Sequence, residues 1–589
     1  MMKSQNGSMD SGESMQFNKL AINPAKNPAV LDTATWDPER AWSVIQSLSD
    51  TYWESIQQAA AQDSPLPIAA DFAPSNESAA TYGSSLFFLA TLADGQQVFI
   101  EVGASGEAIL GMPAGATTLR DGGRTAMYKT DAPIVDRFVR FVKPDAGPRS
   151  MGAVPRLGIG TRMTTAVWPG IFRAMDTCAF AANAIQNSVR ELNLLDHLLT
   201  GQPADRNYAF NFGTIEAGYT GSSFEGLWLS GVLEALKSST CPRYGADADH
   251  IQVKRGAEGL SRAKQIATAT RYYTFFTLDV SDILDYGAMN VEPAGTAEAY
   301  LTDRIQDSDQ YRAVLAYHGR QSGIGDRSRR LDEAMLGRLV GKYWHALNAV
   351  QVLTDHIKGL KDDIPFDLEL SIDEHPPEVQ TFDCLTTDVE LNFLLLEIQR
   401  RELPVTHIAP NFGVQKGTDY RCPDGLEGLE RRTRSLASIA QEFGVILDFH
   451  SGDDLTSSTR RVIQRATQGR LHFKISPALQ LLFAVVLMDY HPKLFQSWWN
   501  DALAYARREA TAGSTFAAEC IRQFEKDDTR VPSPHYALFH HYSFAFVGRR
   551  DDQGQFLNRE EFYSLSPAFY QEYQTRVARY LCSLAEELL

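Results

Sequence analysis

At 589 residues, with 44% hydrophobic and 22% charged residues, the chain has the composition of a globular protein able to bury large cores. A net charge of −17 excludes nucleic acid as the main partner, because contacts to phosphate need a basic face. It does not exclude a small anionic substrate, which a few local Lys and Arg residues can hold.

The chain opens with a polar stretch, 1–20, that lacks an apolar signal core and reads as a disordered tail. Residues 21–150 read as an accessory α/β region, with alternating apolar stretches at 84–92 and 97–102. The breaker-rich segment 144–152 marks a domain boundary. Six cysteines (178, 241, 384, 422, 520 and 582) are scattered without a CxxC. Free thiols and a reducing, cytoplasmic location are therefore expected, with neither a disulfide framework nor a thiolate zinc site. The most apolar run, 479–488, contains Gln480 and is too short to span a bilayer, so no membrane partner is expected.

Between 151 and 480, short apolar runs recur near 157–163, 178–185, 248–253, 272–279, 366–374, 404–410, 445–452 and 470–474. Helical stretches separate them, as at 425–443, where Leu426, Leu429, Leu436 and Ile439 form an apolar stripe. Eight such repeats predict an α/β fold, a TIM-type (β/α)8 barrel with a helical C-terminal extension over 481–589. Two connections, 191–240 and 286–365, exceed ordinary loop lengths and read as lids or outer helices.

Several of these runs end in residues able to do chemistry. Gly245-Ala-Asp-Ala-Asp-His250 brings two carboxylates and an imidazole together, as a functional cluster or as a helix cap with a solvated turn. In the run at 366–374, period-two geometry sets Glu369 on the face opposite Leu368 and Leu370, with Ser371 and Asp373. Burying that carboxylate is costly without a partner, so Glu369 is a tuned acid or base, or half of an internal ion pair. Glu374 either faces the pocket or is an ordinary loop carboxylate. His450 stands at a strand end before small residues and reads as ligand or catalyst. His407 and His472 read as satisfied core residues. Lys474 either holds a substrate carboxylate as a point charge or sits in a buried salt bridge. His535, His540 and His541 lack a carboxylate at a metal-binding spacing, and Arg327-Ser-Arg-Arg330 reads as solvated surface. No dinucleotide fingerprint, phosphate loop or nucleophile elbow is present.

Taken in order, these segments resemble the tagaturonate epimerase family, metal-dependent enzymes of hexuronate catabolism related to tagatose 4-epimerases. The family's Gly-Ala-Asp-Ala-Asp-His stands intact at 245–250, and similar elements occur at 276–282, 368–374, 416–420, 450–452, 472–474 and 186–191. The resemblance covers about 155 to 585. It departs at Gly160-Thr-Arg-Met-Thr164, at Ile171 (a histidine in the family), at Asp453-Asp-Leu455 (Ser-Asp-Lys in the family) and after Lys474.

The resemblance implies C4 epimerisation between D-tagaturonate and D-fructuronate through a metal-stabilised retro-aldol. It further implies a divalent metal on His250, His450 and Gln415, with Asp249 and Glu369 as base and acid. Glu374, Lys474, Asp279 and Arg190 would then face the sugar acid. His with carboxylate or amide ligands suits Zn, Mn, Ni or Co equally. The substituted loops leave open an aldolase or epimerase of another ketose or sugar acid, or a catalytically silent sugar-acid binder.

Overall fold

The computed structural model describes residues 38–589 together with 15–17 and 20–22, apart from 104–107, 121, 189–205, 210–212, 217–218, 241, 293, 320–330, 377, 416 and 552–555. Eight parallel strands close into a barrel. In chain order they are β1 (Arg156–Gly160), β2 (Ala182–Ser188), β3 (Tyr244–Gln252), β4 (Phe275–Asp279), β5 (Asp367–Ser371), β6 (Val405–Ala409), β7 (Ile446–Phe449) and β8 (Leu471–Ile475). Each is followed by a helix: α1 (Trp168–Cys178), α2 (Phe224–Ala235), α3 (Gly259–Ala269), α4 (Glu333–Lys361), α5 (Asp388–Arg400), α6 (Gly425–Glu442), α7 (Ser457–Thr467) and α8 (Pro477–Tyr490). The (β/α)8 expectation therefore holds, with two boundaries moved. The second run begins at Ala182, because Cys178 ends α1 and Ala179 takes a left-handed cap with φ 51°. The third begins at Tyr244, so the Asp-Ala-Asp-His segment lies in the strand and forms neither a turn nor a helix cap.

The period-two pattern explains the barrel's construction. Leu157 and Ile159, Leu368 and Leu370, Leu447 and Phe449, and Leu471, Phe473 and Ile475 all join the apolar core shared with the helices. The alternate positions carry Arg156, Glu369, Asp448, His472 and Lys474, all buried. Such a polar column is stable only if its charges are paired. At its base Arg156 donates to Asp367 at 3.0 Å, and Asp367 also accepts from the backbone N–H groups of Met151 and Gly152. The same carboxylate thus neutralises the column's foot and anchors the chain entering the barrel.

A six-stranded antiparallel sheet precedes the barrel, built from the strands Phe72–Pro74, Ala80–Tyr82, Ser85–Leu92, Gln97–Gly103, Gly115–Thr118 and Arg124–Lys129. Alternation again sorts its faces: Leu86, Phe88 and Ala90 pack with Trp53 and Ile56, whereas Phe87 and Leu89 join the barrel's core. Met15–Phe17 pairs antiparallel with Leu20–Ile22. The long connection after β4 supplies Ala294–Arg304 and Ser308–His318 before α4. That after β2 carries a hairpin, Arg206–Ala209 with Gly213–Glu216. The Arg-rich run 327–330 lies outside the described residues.

The C-terminal extension is helical. Its last helix, α9 (Pro567–Leu588), lies on α1, and its Glu587 pairs with Arg460 of α7 at 2.8 Å. Cys178 of α1 and Cys582 of α9 form a disulfide, which corrects the expectation of free thiols throughout. A sequence separation of 404 residues leaves no spacing signal for such a pair; only the packing of first and last helices brings the sulfurs together. Cys384, Cys422 and Cys520 are free and buried. Among the described residues no helix is long and apolar enough to cross a membrane.

Thiol titration checks the bridge. With six cysteines and one disulfide, the unfolded, unreduced protein should show four reactive thiols and six after reduction. Cys582→Ser should lower unfolding stability by roughly 2–4 kcal/mol, read by denaturant titration without reductant.

Candidate active site

The residues at the C-terminal mouth of the barrel are brought there by two local distortions. In a regular strand Asp249 and His250 would face opposite sides. The β3–β4 register shifts between Ala248 and Ile251, and His250 has φ 53°, a left-handed conformation uncommon for a side-chain-bearing residue. This bulge turns His250 inward beside Asp249, with its Nε2 4.0 Å from Asp249 Oδ1. At the end of β7, Ser451 adopts φ 55° directly after His450. The two imidazoles meet edge to face across the mouth, with ring centroids 4.7 Å apart.

Each ring is oriented by carboxylates. His250 Nδ1 lies 3.3 Å from Asp279 Oδ2, and its Nε2 is 4.0 Å from Glu374 Oε1. Gln252 Nε2 donates to the same Asp279 oxygen at 3.1 Å. His450 has a carboxylate at each nitrogen, Asp373 at 3.0 Å from Nδ1 and Glu369 at 2.8 Å from Nε2. Burial opposes its charge, but Asp373 and Glu369 outweigh that and raise its pKa to about 10. His450 is thus an imidazolium between two carboxylates.

One layer deeper, Lys474 Nζ lies 2.6 Å from Glu369 Oε2, 2.8 Å from Asp249 Oδ1 and 3.3 Å from Asp247 Oδ2, and donates to Thr277 Oγ1 at 2.8 Å. Burial works against each charge here. The lysine nevertheless stays protonated, because Asp247, Asp249 and Glu369 surround it. Asp249, although buried, is held at about 2 by His250, Lys474 and His450, and Lys474 and His450 likewise keep Glu369 ionised. The remaining carboxyls carry protons: burial lifts Asp247 to about 8, and burial with the neighbouring Glu369 lifts Asp448 far above the carboxylate range. Below them Asp448 Oδ2 is hydrogen-bonded to His472 Nδ1 at 2.7 Å, and His407 lies against His472. Gly158 gives this layer its room, since a Cβ there would stand 2.2 Å from Gln186 Oε1 and 2.7 Å from His472 Nε2.

The donor set suits a divalent cation. Asp249, His250 and His450 each present a ligand atom within 4.8 Å of the others, and His250, Asp279 and Glu374 do the same. Separations of 4.0 Å are too long for hydrogen bonds, but within reach of ligands that each stand about 2.1 Å from a shared ion. Asp279 on the far nitrogen of His250 is the carboxylate that commonly orients a metal-bound histidine.

The structure thus brings together Asp249, His250, Asp279, Glu369, Glu374, His450 and Lys474. Lys474 sits in the buried salt-bridge cluster, the second of its two sequence readings. Gln415 Nε2 donates to Thr381 Oγ1 at 2.8 Å and its Oε1 accepts from Arg421 Nε at 2.7 Å. Arg190 and Lys416 lie outside the described residues. Sequence reasoning missed Asp448, and gave no separate role to Asp247, counted in the 245–250 cluster, or to Asp373, placed on the face of Glu369. Asp247 and Asp448 stand two residues before Asp249 and His450 on the same strand faces, so strand alternation was the available signal. His540, whose cluster has no carboxylate at a metal-binding spacing in sequence, lies 3.2 Å from Asp454 in the loop after His450.

Comparison with known proteins decides the family. A model of the tagaturonate epimerase family, UxaE, matches residues 77–584. The chain belongs to this family. It is therefore a carbohydrate epimerase of the isomerase class. Two crystal structures of the fructuronate-tagaturonate epimerase UxaE from Cohnella laeviribosi share its fold at 20% identity and a TM-score of 0.62. The glycerol-bound one covers 93% of this chain and 99% of that one; the native one covers 91% and 99%. No curated protein matches.

Removing the central cation tests the electrostatic account of this tagaturonate epimerase family member. Lys474→Met should destabilise the protein by about 3–5 kcal/mol, because it leaves buried carboxylates uncompensated. Adding Glu369→Gln should restore part of that loss, a coupling that urea titration of the single and double variants would detect.

Proposed function

We propose that this protein interconverts D-tagaturonate and D-fructuronate by inverting C4 at the His250–His450 pair. The observation that carries the reading is the convergence of both histidines with Asp249 and Glu374 at the C-terminal mouth, where barrel enzymes do their chemistry. C4 is not adjacent to the C2 ketone, so simple enolisation cannot invert it. Breaking the C3–C4 bond, turning the aldehyde face and re-forming the bond can.

In this scheme His250, His450 and Glu374 hold a divalent cation, which when bound supplies Lewis-acid stabilisation of charge on substrate oxygens. Asp249, ionised and at the edge of the cluster, accepts the C4 hydroxyl proton as C3–C4 breaks and returns it to the epimeric alkoxide. Glu369 lies wholly buried beneath His450, where it fixes the ring and serves as proton partner one step from the substrate. Asp279 sets the plane of the His250 imidazole, and on His450 the cation would take Nδ1 in place of the contact with Asp373, with Glu369 still on Nε2. Lys474 keeps Asp249 and Glu369 ionised together.

Proton NMR of each hexuronate incubated separately with metal-loaded protein tests the reaction. Both samples should converge to one mixture, and EDTA should stop the conversion. Failure to interconvert with metal present would reject this substrate pair.

The ligand assignment has its own test. Loading the site must displace a proton from His450, whose pKa of about 10 keeps it charged at neutral pH. Metal affinity should therefore rise with pH between 6 and 9, with about one proton released on binding. Calorimetry in buffers of different ionisation enthalpy measures that proton. His450→Ala should lose metal and turnover together. Retained metal with lost turnover would make His450 a proton carrier instead.

A further inference from the structure

Strand β3 ends on Gln252, two residues after His250. The bulge before it sets Gln252 opposite Asp279, the last residue of β4. The side chain is buried, and its Nε2 donates to Asp279 Oδ2 at 3.1 Å and to Glu374 Oε2 at 3.5 Å. An amide nitrogen carries two hydrogens, so each carboxylate takes one. Both acids flank the same imidazole: Asp279 Oδ2 lies 3.3 Å from His250 Nδ1, and Glu374 Oε1 lies 4.0 Å from His250 Nε2. Glu374 therefore has one oxygen on Gln252 and the other toward His250. Its main chain is pinned as well, since Tyr286 Oη donates to its carbonyl at 3.0 Å.

The residue type at 252 matters as much as its place. Two carboxylates that share one donor repel each other, and a donor between them offsets that repulsion. A lysine or arginine would do so by charge, and that charge would oppose a divalent cation on His250. An aliphatic side chain would supply no hydrogen bond. The amide holds both acids and adds no charge. Partners of this kind, one contact removed from an ion, fix the direction in which a ligand carboxylate or imidazole points.

We propose that Gln252 is a positioning residue of the metal site: by bridging Asp279 and Glu374, it aims Glu374 Oε1 toward the ion-binding face of His250 and keeps Asp279 on the far nitrogen of that ring. The inference rests on the metal part of the epimerase reading and adds the group that sets two of its donors. Gln252 itself touches neither ion nor sugar in this role.

The test titrates metal-stripped, full-length protein with Co(II), by calorimetry and by the visible absorption of the bound ion. In Q252L affinity should fall roughly 10- to 100-fold, and the Co(II) bands should shift because the donors around the ion have moved. In an E374Q background, where the amide has no carboxylate at 374 to aim, the loss caused by Q252L should shrink by at least about threefold. A merely structural role would lower the melting temperature of the metal-free protein and leave affinity and bands as in the wild type. That result, or tighter binding, would overturn the proposal, as would an equal loss in both backgrounds. Should Q252L not fold, Q252N, which keeps the amide on a shorter arm, should weaken Co(II) binding by a smaller factor; wild-type affinity and bands in Q252N would overturn it. Should the wild type bind no Co(II), the metal reading fails and the role of Gln252 fails with it. Wild-type binding that Q252L leaves unchanged removes Gln252 alone.

Discussion

A single ammonium group makes the barrel interior possible. Lys474, fully enclosed, stands within 3.3 Å of carboxylate oxygens from Asp247, Asp249 and Glu369. Ordinary barrels fill this space with branched apolar side chains. Here β3, β5, β7 and β8 point acids and imidazoles inward, and two cations, Lys474 and the Arg156 below it, are set against more carboxylates than they can match. The balance is made up by protons on Asp247 and Asp448 and by the imidazolium of His450. At its open end the donor atoms of Asp249, His250 and His450 lie close enough to suit a divalent cation.

The second constraint is backbone geometry at the strand ends. A carboxylate and an imidazole adjacent in sequence cannot share a face of a flat strand. The bulge at Asp249 and His250 brings them together at the cost of a left-handed residue, a local strain of order 1–3 kcal/mol. The surrounding structure holds it: Asp279 fixes the ring of His250, and Gln252 fixes Asp279. The loop after His450 is secured in the same way. Asp453 accepts from the N–H groups of Ser476 and Ala478 at the start of α8, and Asp454 accepts from Gly417 and meets His540 of the C-terminal extension.

That extension ties the ends of the barrel together. Helix α9 joins α1, the first barrel helix, through the Cys178–Cys582 bridge, and reaches α7 through Glu587 and Arg460. The seam it covers, between β8 and β1, is also where Arg162 and Ser476 meet. On the other flank, the N-terminal sheet lends one apolar face to the same core. Both additions therefore support the barrel by packing.

Much of this was legible in the residues alone. Eight apolar runs at barrel spacing determined the fold class, because a central parallel strand must be apolar toward its helices whatever lies inside. The same alternation singled out Glu369, and a place at a strand end before small residues singled out His450. The ordered motifs pointed to the epimerase family. What the sequence left open depended on partners far along the chain. Whether Lys474 was a substrate contact or a buried ion pair was decided by Asp247, Asp249 and Glu369, which only barrel closure brings to it. The inward turn of His250 required the bulge against β4, which no local pattern encodes. Cys178 and Cys582 carried no spacing signal, because a covalent bond across 404 residues is set by helix packing alone. Strand identity is a local property of side-chain pattern; the charge state and purpose of each inward residue are properties of the closed barrel.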